Sequence, residues 1–535
     1  MKQENAFLSY VARITLVATL GGLIFGYDTA VVSGAVKGIR EFFVIPLSLD
    51  VELAKEVIIS YRITICVAVL IIGMAVGGML VRLFGLKKGI SVTAGLFAVV
   101  LAVLFWQFDN TFVVTADLTN AITGFAVSSA LIGCIVGGST AGFISLSLGR
   151  KKGLLLSALL FIISGCGAAF PEKMSIPGIQ PLTSFIFYRI VGGVGIGLAS
   201  MLSPMYIAEI APANIRGKLV SWNQFANVLG ILLVYFINWF IARQGDEQWN
   251  ITMGWRWMFF SGIIPSLAFM ILLLFIPETP RYFALKGKHD KALDVLRKTV
   301  GEQEAKTAMK DIMATLVGKS VPWLSFGGMV IIIGILFGAF QQLMGINVVL
   351  YYAPKIFQNM GTRLDVSLLQ TVMVGTVFLI FTVIAILTVD KLGRKRLLII
   401  GGIIMGFSMA AVGFTFYAEN MGILALVFIL IYIAGFAMSW GPVMWVMLSE
   451  IFPNSIRGAM SIAVATIWIT NLMISWSFPV IDDNAWLIDK FHHGFAYWIY
   501  AIICFLAVLF VVKLVPETKG KTLEQIEKFW KTHPV

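Results

Sequence analysis

Charged residues are scarce in this chain, and their scarcity limits the class of protein. Only 13% of the 535 residues are Asp, Glu, Lys or Arg, whereas 59% are hydrophobic. Soluble globular proteins carry about 25% charged residues. The composition excludes disordered, collagen-like and small disulfide-rich chains, and recurring apolar runs of about 20 residues indicate a polytopic membrane protein.

Cysteine and histidine are also rare, with four of each. The cysteines lie inside apolar runs without a CxxC spacing, and the histidines form no HExxH pattern, so we expect neither a disulfide nor a metal site. No GxxxxGK[ST] segment is present, which argues against an ATP-driven pump. We expect no cofactor and no enzymatic activity, because a membrane enzyme would need a catalytic cluster and none is visible.

Apolar runs are abundant, and fourteen of them are long enough to cross a hydrocarbon core of about 30 Å as helices. They lie at 11–36, 61–83, 87–106, 121–147, 152–170, 183–205, 219–242, 255–276, 323–346, 366–389, 396–417, 422–447, 459–480 and 494–515. A cleaved signal peptide is the alternative for the first run, which is longer than a typical h-region. An all-α membrane protein of about fourteen spans is therefore predicted.

The formal net charge of +12 comes from Lys and Arg in the short segments between the runs. Such clustering follows the positive-inside rule, so we expect both termini in the cytoplasm and no nucleic-acid partner. The longest such segment, 281–319, alternates charged and apolar residues. This pattern predicts short amphipathic helices on the cytoplasmic membrane face.

Internal repeats divide the chain into two homologous halves, since three motifs recur in the same order about 240 residues apart. The pairs are Gly149-Arg150-Lys151 with Gly393-Arg394-Lys395, Glu209-x-x-Pro212-x-x-x-Arg216 with Glu450-x-x-Pro453-x-x-x-Arg457, and Pro277-Glu278-Thr279 with Pro516-Glu517-Thr518. Parallel halves of this kind occur in many transporters. The Glu and Arg of these motifs are expected to form ion pairs that hold one state closed and break in the other.

The first half carries two additional runs, 61–83 and 87–106, which form an inserted hairpin. Its Gly-rich span and Lys87-Lys88-Gly89 turn resemble the span and turn that follow it. A partial duplication explains this, although Gly-rich spans before basic turns look alike in any case. The expected units are 1–47 with 121–276 as the first six-helix bundle, 48–120 as the hairpin, 277–320 as the intracellular helices, 321–515 as the second bundle and 516–535 as a cytoplasmic tail.

Polar residues inside apolar runs are costly and usually serve a pathway. Asp28 and Arg189 are lone charges in separate runs, and we expect them to pair. Burial would favour the neutral form of the Asp28 carboxyl, whereas the Arg189 guanidinium would favour its ionised form. Two opposed effects of this kind suit a group that loads and releases a proton. A permanent ion pair that fixes two helices is the alternative.

Amides and aromatic rings form a second polar set, in the runs and just after the run 323–346. Amides and tyrosine hydroxyls suit the hydroxyl groups of a sugar, and indole rings can stack on its apolar face. The set comprises Gln224, Asn227, Gln341, Gln342, Asn347, Tyr351, Tyr352, Trp445 and Trp468. The segment 192–197, although Gly-rich, lies inside a run and predicts close helix packing rather than a dinucleotide site.

Four motifs together resemble the sugar porter branch of the major facilitator superfamily. They are Pro277-Glu278-Thr279-Pro280-Arg281, Gln341-Gln342-Leu343-x-Gly345-Ile346-Asn347, Asp390-Lys391-x-Gly393-Arg394-Lys395 and Pro516-Glu517-Thr518-Lys519-Gly520. The resemblance covers nearly the whole chain except about 48–120. It implies the major facilitator fold of two six-helix bundles, a central monosaccharide site, alternating access, and a multi-pass monomer in the lipid bilayer of the inner membrane.

The resemblance also assigns roles to residues of this chain. It implies sugar contacts for Phe25, Gln224, Gln341, Gln342, Asn347, Tyr351, Trp445 and Trp468, and proton coupling for Asp28 with Arg189. It implies cytoplasmic gating by Arg150, Glu209, Arg216, Glu278, Asp390, Arg394, Glu450, Arg457 and Glu517. The chain departs from the pattern where Ile231, Phe378 and Ile467 replace amides and Gly262 replaces a glutamate.

Two alternatives to sugar–proton symport stay open. The first is a facilitator that only equilibrates the sugar, which the departures at Gly262 and at the three amide positions leave open. A receptor that binds sugar without moving it is the other. A sugar-competition panel on uptake with simultaneous recording of the external pH would settle the substrate and the coupling, and sugar binding without counterflow would indicate a receptor.

Overall fold

The computed structural model describes residues 2–107, 112–175, 179–212, 215–316, 322–325, 327–452, 454–519, 525–526 and 530, and the regular structure of these residues is helical. The first half contains α1 (Lys2–Ile39), α2 (Val51–Phe84), α3 (Leu86–Gln107), α4 (Ala116–Ser128), α5 (Ala130–Ser147), α6 (Arg150–Ala169), α7 (Pro181–Ile210), α8 (Arg216–Ala242), α9 (Glu247–Trp249), α10 (Trp255–Ser261) and α11 (Ile263–Leu274). The connection contains α12 (Pro280–Leu285), α13 (His289–Val300) and α14 (Glu302–Leu316). The second half contains α15 (Met329–Leu343), α16 (Ile346–Asn359), α17 (Leu364–Leu392), α18 (Arg394–Tyr417), α19 (Ile423–Met438), α20 (Pro442–Ile451), α21 (Met460–Asp482), α22 (Ala485–Phe491) and α23 (Phe495–Leu514).

Thirteen helical stretches of the described residues are long and apolar enough to span a membrane. They correspond to thirteen of the fourteen predicted runs. The remaining run, 87–106, coincides with α3. The side chains of α3 at 101 and 103–107 lie outside the described part of the chain. The all-α polytopic architecture is confirmed.

The helix that contains the predicted apolar run 61–83 begins ten residues before that run, because α2 begins at Val51. The side chain of Asp50 caps the helix by accepting hydrogen bonds from the backbone N–H groups of Glu52 and Leu53, both at 3.0 Å. A capped polar turn satisfies the free N–H groups of a helix start. Hydropathy alone misses such a turn.

Two spans of the second half are interrupted near their middle. Gly345 adopts a left-handed backbone with φ of 90° between α15 and α16, so the predicted run 323–346 is the first part of a span that continues to Asn359. The second break, around Ser439, separates α19 from α20. Breaks expose backbone carbonyls and N–H groups, which membranes tolerate only where protein or a polar cavity satisfies them.

The helix ends that carry Lys87, Arg150 and Arg394 are here called the inner end, and those near Arg40 and Asp483 the outer end. The amphipathic helices predicted for 281–319 are present at the inner end as α12 to α14. Their apolar faces pack together through Ala284, Ala292, Leu296, Ala305 and Met309. The connection is therefore a small folded layer that contacts α1 through α13.

The internal repeat extends to individual hydrogen bonds at the inner end. Glu278 accepts bonds from the backbone N–H groups of Arg150 at 3.2 Å and Lys151 at 3.0 Å. Glu517 accepts the equivalent bond from the N–H of Lys395 at 3.2 Å. Burial raises the pKa of Glu278, although these N–H groups and Arg150 oppose the shift. Matching bonds at matching positions support the two-halves interpretation.

Close packing around α7 explains its glycines. A Cβ atom at Gly193 would lie 1.8 Å from the carbonyl oxygen of Ala130, and one at Gly133 would lie 2.0 Å from that of Ile190. Only glycine allows α5 and α7 to approach so closely. The Gly-rich segment 192–197 therefore serves helix packing, as predicted.

The two halves meet at the outer end. The indole N–H of Trp476 in α21 donates to the carbonyl of Ala121 in α4 at 3.0 Å, and Tyr235 in α8 donates to the carbonyl of Leu350 in α16 at 2.7 Å. A Cβ atom at Gly124 would lie 2.3 Å from the carbonyl oxygen of Trp476. The structure is therefore closed on the outer side.

Candidate functional site

The two lone charges of the first half meet in the bundle interior. A guanidinium N–H of Arg189 in α7 donates to Asp28 Oδ2 in α1 at 3.2 Å. The Arg189 side chain is 2% exposed and that of Asp28 is 15% exposed. Arg189 also lies over the ring of Phe259, 5.1 Å from its centroid. The carboxylate is therefore the more accessible partner of the pair.

Amide side chains form a connected chain at the break between α15 and α16. Gln341 Nε2 donates to the carbonyl of Trp440 at 3.0 Å, and Gln342 Nε2 donates to Gln341 Oε1 at 3.1 Å. Asn347 Nδ2 donates to Gln342 Oε1. Gln341 thereby satisfies the backbone carbonyl of Trp440 at the break before α20. The three amides together retain further donors and acceptors for a polar ligand.

Rings from the two halves also approach each other. Phe25 in α1 and Trp468 in α21 lie 5.8 Å apart between centroids. The Trp468 indole N–H is buried and has no hydrogen-bond partner among the described residues. Trp445 is the exposed aromatic residue of the otherwise largely buried α20. An unpaired buried donor costs free energy unless a ligand satisfies it.

The first half adds amides on α8. Gln224 is half-buried, and Asn227 is buried with its Nδ2 lacking a hydrogen-bond partner within the described residues. Asn227 also packs against α1, where a Cβ atom at Gly26 would lie 1.9 Å from the Asn227 carbonyl oxygen. The two amides are three residues apart and share one helix face.

Tyr351 belongs to a polar chain that the sequence analysis missed. Its hydroxyl accepts a hydrogen bond from Asn471 Nδ2 at 3.2 Å, and Asn471 Oδ1 accepts one from Ser475 at 2.9 Å. Asn471 and Ser475 lie one and two helical turns after Trp468 on α21. That spacing of polar residues in an apolar run was the available signal.

The three apolar replacements are buried in helix packing. Phe378 lies 6.1 Å from Phe436 between ring centroids. Ile467 faces α15, where a Cβ atom at Gly338 would lie 3.1 Å from its side chain. Ile231 is buried against α1. These positions contribute shape rather than hydrogen bonds.

Gly262 lies close to the proton-coupling candidate. A Cβ atom there would be 3.5 Å from the ring of Tyr27, the neighbour of Asp28. The Tyr27 hydroxyl shares a 2.7 Å hydrogen bond with Ser261. Neutral hydroxyl groups, rather than a second carboxylate, therefore occupy this region.

Ion pairs at the inner end join helices of the same half. Arg150 contacts Glu209 at 2.7 Å, and Arg394 contacts Glu450 at 3.1 Å. Glu209 therefore pairs with Arg150, whereas Arg216 of the same motif is exposed at the start of α8. The predicted side-chain contacts of Asp390 and Arg457 lie outside the described part of the structure.

Twin helical halves around a buried polar centre, closed at one end, define the chain as a transporter of the secondary type. The sequence profile of the family described as "Sugar (and other) transporter" matches residues 14–116 and 105–530. The first matched segment continues through α2 and α3. The chain belongs to this sugar transporter family, and the expected membership of the major facilitator superfamily is confirmed.

Curated relatives extend over nearly the whole chain. The D-xylose–proton symporter of Escherichia coli K12 is 47% identical over 98% of this chain and 96% of its own. The glucose facilitated diffusion protein of Zymomonas mobilis is 37% identical over 98% of both chains. The arabinose–proton symporter of Bacillus subtilis is 36% identical over 98% of this chain and 96% of its own.

Solved structures agree in fold. The inward-open xylose transporter XylE from E. coli aligns with a TM-score of 0.77 at 45% identity, over 97% of this chain and 100% of its own. The proton:xylose symporter XylE bound to 6-bromo-6-deoxy-D-glucose aligns with a TM-score of 0.73 at 45% identity, over 98% of this chain and 99% of its own.

Proposed function

We propose that this protein imports a monosaccharide together with a proton by alternating access. The observation that carries the proposal is the buried Asp28–Arg189 pair of the first half, together with an amide chain in the second half that is suited to sugar hydroxyls. The 47% identity to a D-xylose–proton symporter supports this class of substrate. Xylose, arabinose and glucose are the sugars to test first.

In this proposal the second half supplies most of the sugar contacts. Gln341, Gln342, Asn347 and Tyr351 bind hydroxyl groups, and Trp445 and Trp468 contact the apolar ring face. Phe25 and Gln224 complete the site from the first half. The unpaired Trp468 indole N–H supports this role, because a sugar hydroxyl would accept its hydrogen bond.

Asp28 is the proton carrier, and Arg189 favours its release once the sugar has left. Coupling requires that the carboxyl load a proton from one side and release it to the other. The inner-end ion pairs act as gating contacts that rearrange when the inner end closes. This role follows the motif pattern of both halves and includes Glu278, Asp390, Glu450, Arg457 and Glu517.

The protein is proposed to act as a monomer in a bacterial inner membrane, with both termini in the cytoplasm. The basic residues at the inner end support this orientation. The inner end then faces the cytoplasm, and the closed outer end supports an inward-facing state. The hairpin 48–120 is an addition to two six-helix bundles at 1–47 with 121–276 and at 321–515.

Uptake into proteoliposomes tests the proposal. A panel of unlabelled sugars competing with labelled xylose identifies the substrate, while a pH electrode records proton movement outside. Sugar accumulation that collapses when an uncoupler is added supports symport. Failure to move any free sugar across the membrane overturns the proposal.

A facilitator is the second candidate function. The absence of a carboxylate at Gly262, beside Tyr27, favours it, as does the 37% identity to a glucose facilitated diffusion protein. A facilitator would equilibrate the sugar without recorded proton movement. The same experiment separates the two candidates.

A further inference from the structure

The inserted hairpin lies against the seam between the two halves. Its helix α2 contacts α5 and α7 of the first half and α21 of the second. Much of α2 otherwise faces outward, with Ile63 58% exposed and Met74 69% exposed. A helix that contacts both halves is affected whenever the halves move relative to each other.

Polar bonds anchor α2 to the first half near the outer end. Thr183 Oγ1 in α7 donates to Ser60 Oγ at 3.0 Å, and Gln180 Nε2 donates to the carboxylate of Glu56. Both partners are at the start of α7, so these bonds hold the outer part of α2 to the first half.

One turn of α2 also contacts the second half through Tyr61. The Tyr61 ring lies edge-to-face with Phe125 of α4 at 5.3 Å and with Trp476 of α21 at 6.4 Å. Phe125 and Trp476 are themselves 5.0 Å apart. Tyr61 is 7% exposed, so it completes a buried three-ring cluster whose members come from the hairpin, the first half and the second half.

The cluster lies where the outer end must open. Trp476 is the residue whose indole donates to Ala121 and whose carbonyl lies against Gly124. Access from outside requires α4 and α21 to separate at this point. Separation moves Trp476 away from Tyr61, because Ser60 holds Tyr61 to α7 of the first half.

The other end of α2 contacts the second half as well. The guanidinium of Arg82 lies 5.9 Å from the ring centroid of Trp323, next to the inner-end residue Gly458. A continuous helix of 34 residues therefore contacts the second half near both of its ends. A rocking motion of the halves about their centre cannot preserve both contacts.

We propose that α2 of the inserted hairpin is a brace that favours the state closed on the outer side, and that Tyr61 is its positioning residue. This inference rests on alternating access as proposed above. Tyr61 acts through Trp476 and contacts neither the sugar candidates nor Asp28. Its loss removes the contact with Trp476, which exists only while the outer end is closed, whereas the contact with Phe125 lies within the first half and is lost from both states.

Distances between spin labels at the outer end test the brace directly. The labels replace Lys173 in the first half and Lys490 in the second, in a full-length protein whose four cysteines are changed to alanine and which is held in nanodiscs without sugar. Tyr61→Ala is expected to raise the ratio of long to short distances about threefold to tenfold, as the loss of an aromatic pair implies. Tyr61→Phe should retain the wild-type distribution, because it keeps the ring.

Two further variants keep the test decisive. Ile63→Ala changes an exposed residue of the same helix and should leave the distances unchanged. Thr183→Val removes the bond to Ser60 and should shift the distances in the same direction as Tyr61→Ala, so the test survives if that variant fails to fold. Wild-type distances in every folded variant overturn the brace, whatever the protein transports. Because no sugar is present, failure of sugar uptake is a separate outcome that concerns only the proposed function.

Discussion

Arg40 and Asp483 join the two halves at the outer end, with the guanidinium 3.0 Å from the carboxylate. Arg40 follows α1, and Asp483 follows α21. Asp483 also accepts a bond from Lys355 at 2.8 Å. An ion pair across the seam exists only while the outer end is closed, so it favours the inward-facing state.

Arg40→Gln is expected to shift the protein towards the outward-open state. The pair is partly exposed, so its contribution is about 1 kcal/mol, which corresponds to about a fivefold change in the ratio of states. Asn120 is buried near the outer start of α4 and serves as a probe. When Asn120 is changed to cysteine, a membrane-impermeant maleimide should alkylate that cysteine faster in the protein that also carries Arg40→Gln than in the protein that retains Arg40.

The matched control for this prediction is Lys490→Gln. This change removes an outer-end charge whose ion pair, with Asp489, lies within the second half. Its alkylation rate should equal that of the unmodified background. Raising the salt concentration should narrow the difference between Arg40→Gln and the background, because screening weakens exposed ion pairs. Equal rates at low salt would show that the ion pair does not bias the states.

Asp28→Asn is expected to abolish accumulation of sugar against a gradient while exchange continues. The amide keeps an acceptor for Arg189 but cannot carry the proton, so the ratio of internal to external sugar should fall to about 1. Uptake and counterflow in proteoliposomes measure the two activities separately. Glu172→Gln makes the same change in the Arg256 pair away from the centre and should accumulate sugar normally. Loss of counterflow as well would assign Asp28 a structural role.

The Asp28–Arg189 contact was predictable because each charge is alone in its apolar run, and isolated buried charges need partners. The halves and the connecting helices were predictable from repeated motifs and from charge alternation. The contact of Tyr61 with Trp476 could not be predicted, because hydropathy does not show which helices an additional span packs against. The break at Ser439 was missed as well, since apolar composition continues across it. The predicted run that ends at 346 missed the part of the span beyond Gly345, because polar residues follow the break.

Gln342→Ala is expected to weaken sugar binding. The amide connects Gln341 with Asn347, so truncation removes the proposed sugar contact and disturbs both neighbours. A lost hydrogen-bond partner in a buried site costs about 1–3 kcal/mol, or roughly a 5- to 150-fold rise in Kd. Calorimetry on the purified protein measures the Kd. Gln244→Ala, an exposed amide at the outer end, should bind as the wild type does, and an unchanged Kd in Gln342→Ala would place the sugar elsewhere.

His493 is expected to make the stability of the outer end of the folded protein depend on pH. Its Nδ1 lies 3.2 Å from Asp482 Oδ1, and this hydrogen bond raises the pKa of His493, although burial opposes the shift. Asp483 adds to the rise in the pKa of His493. Asp482 also contacts Lys355 at 3.3 Å and Asn359 at 3.0 Å. Protonated His493 therefore stabilises a buried carboxylate cluster of the second half.

His493→Asn is expected to remove that stabilisation at low pH. Because the pKa is raised in the folded protein, the contribution is complete below the unfolded value of about 6.5 and is lost as the pH rises through the folded pKa. Thermal unfolding in detergent should therefore show wild type and variant far apart near pH 6 and closer near pH 8.5. Asparagine suits the left-handed backbone at this position, where φ is 66°. His492→Asn is the control, since that neighbour shares the left-handed backbone but pairs with Glu419 at an exposed site. A difference between wild type and His493→Asn that does not vary with pH would mean that the neutral imidazole supplies the contact.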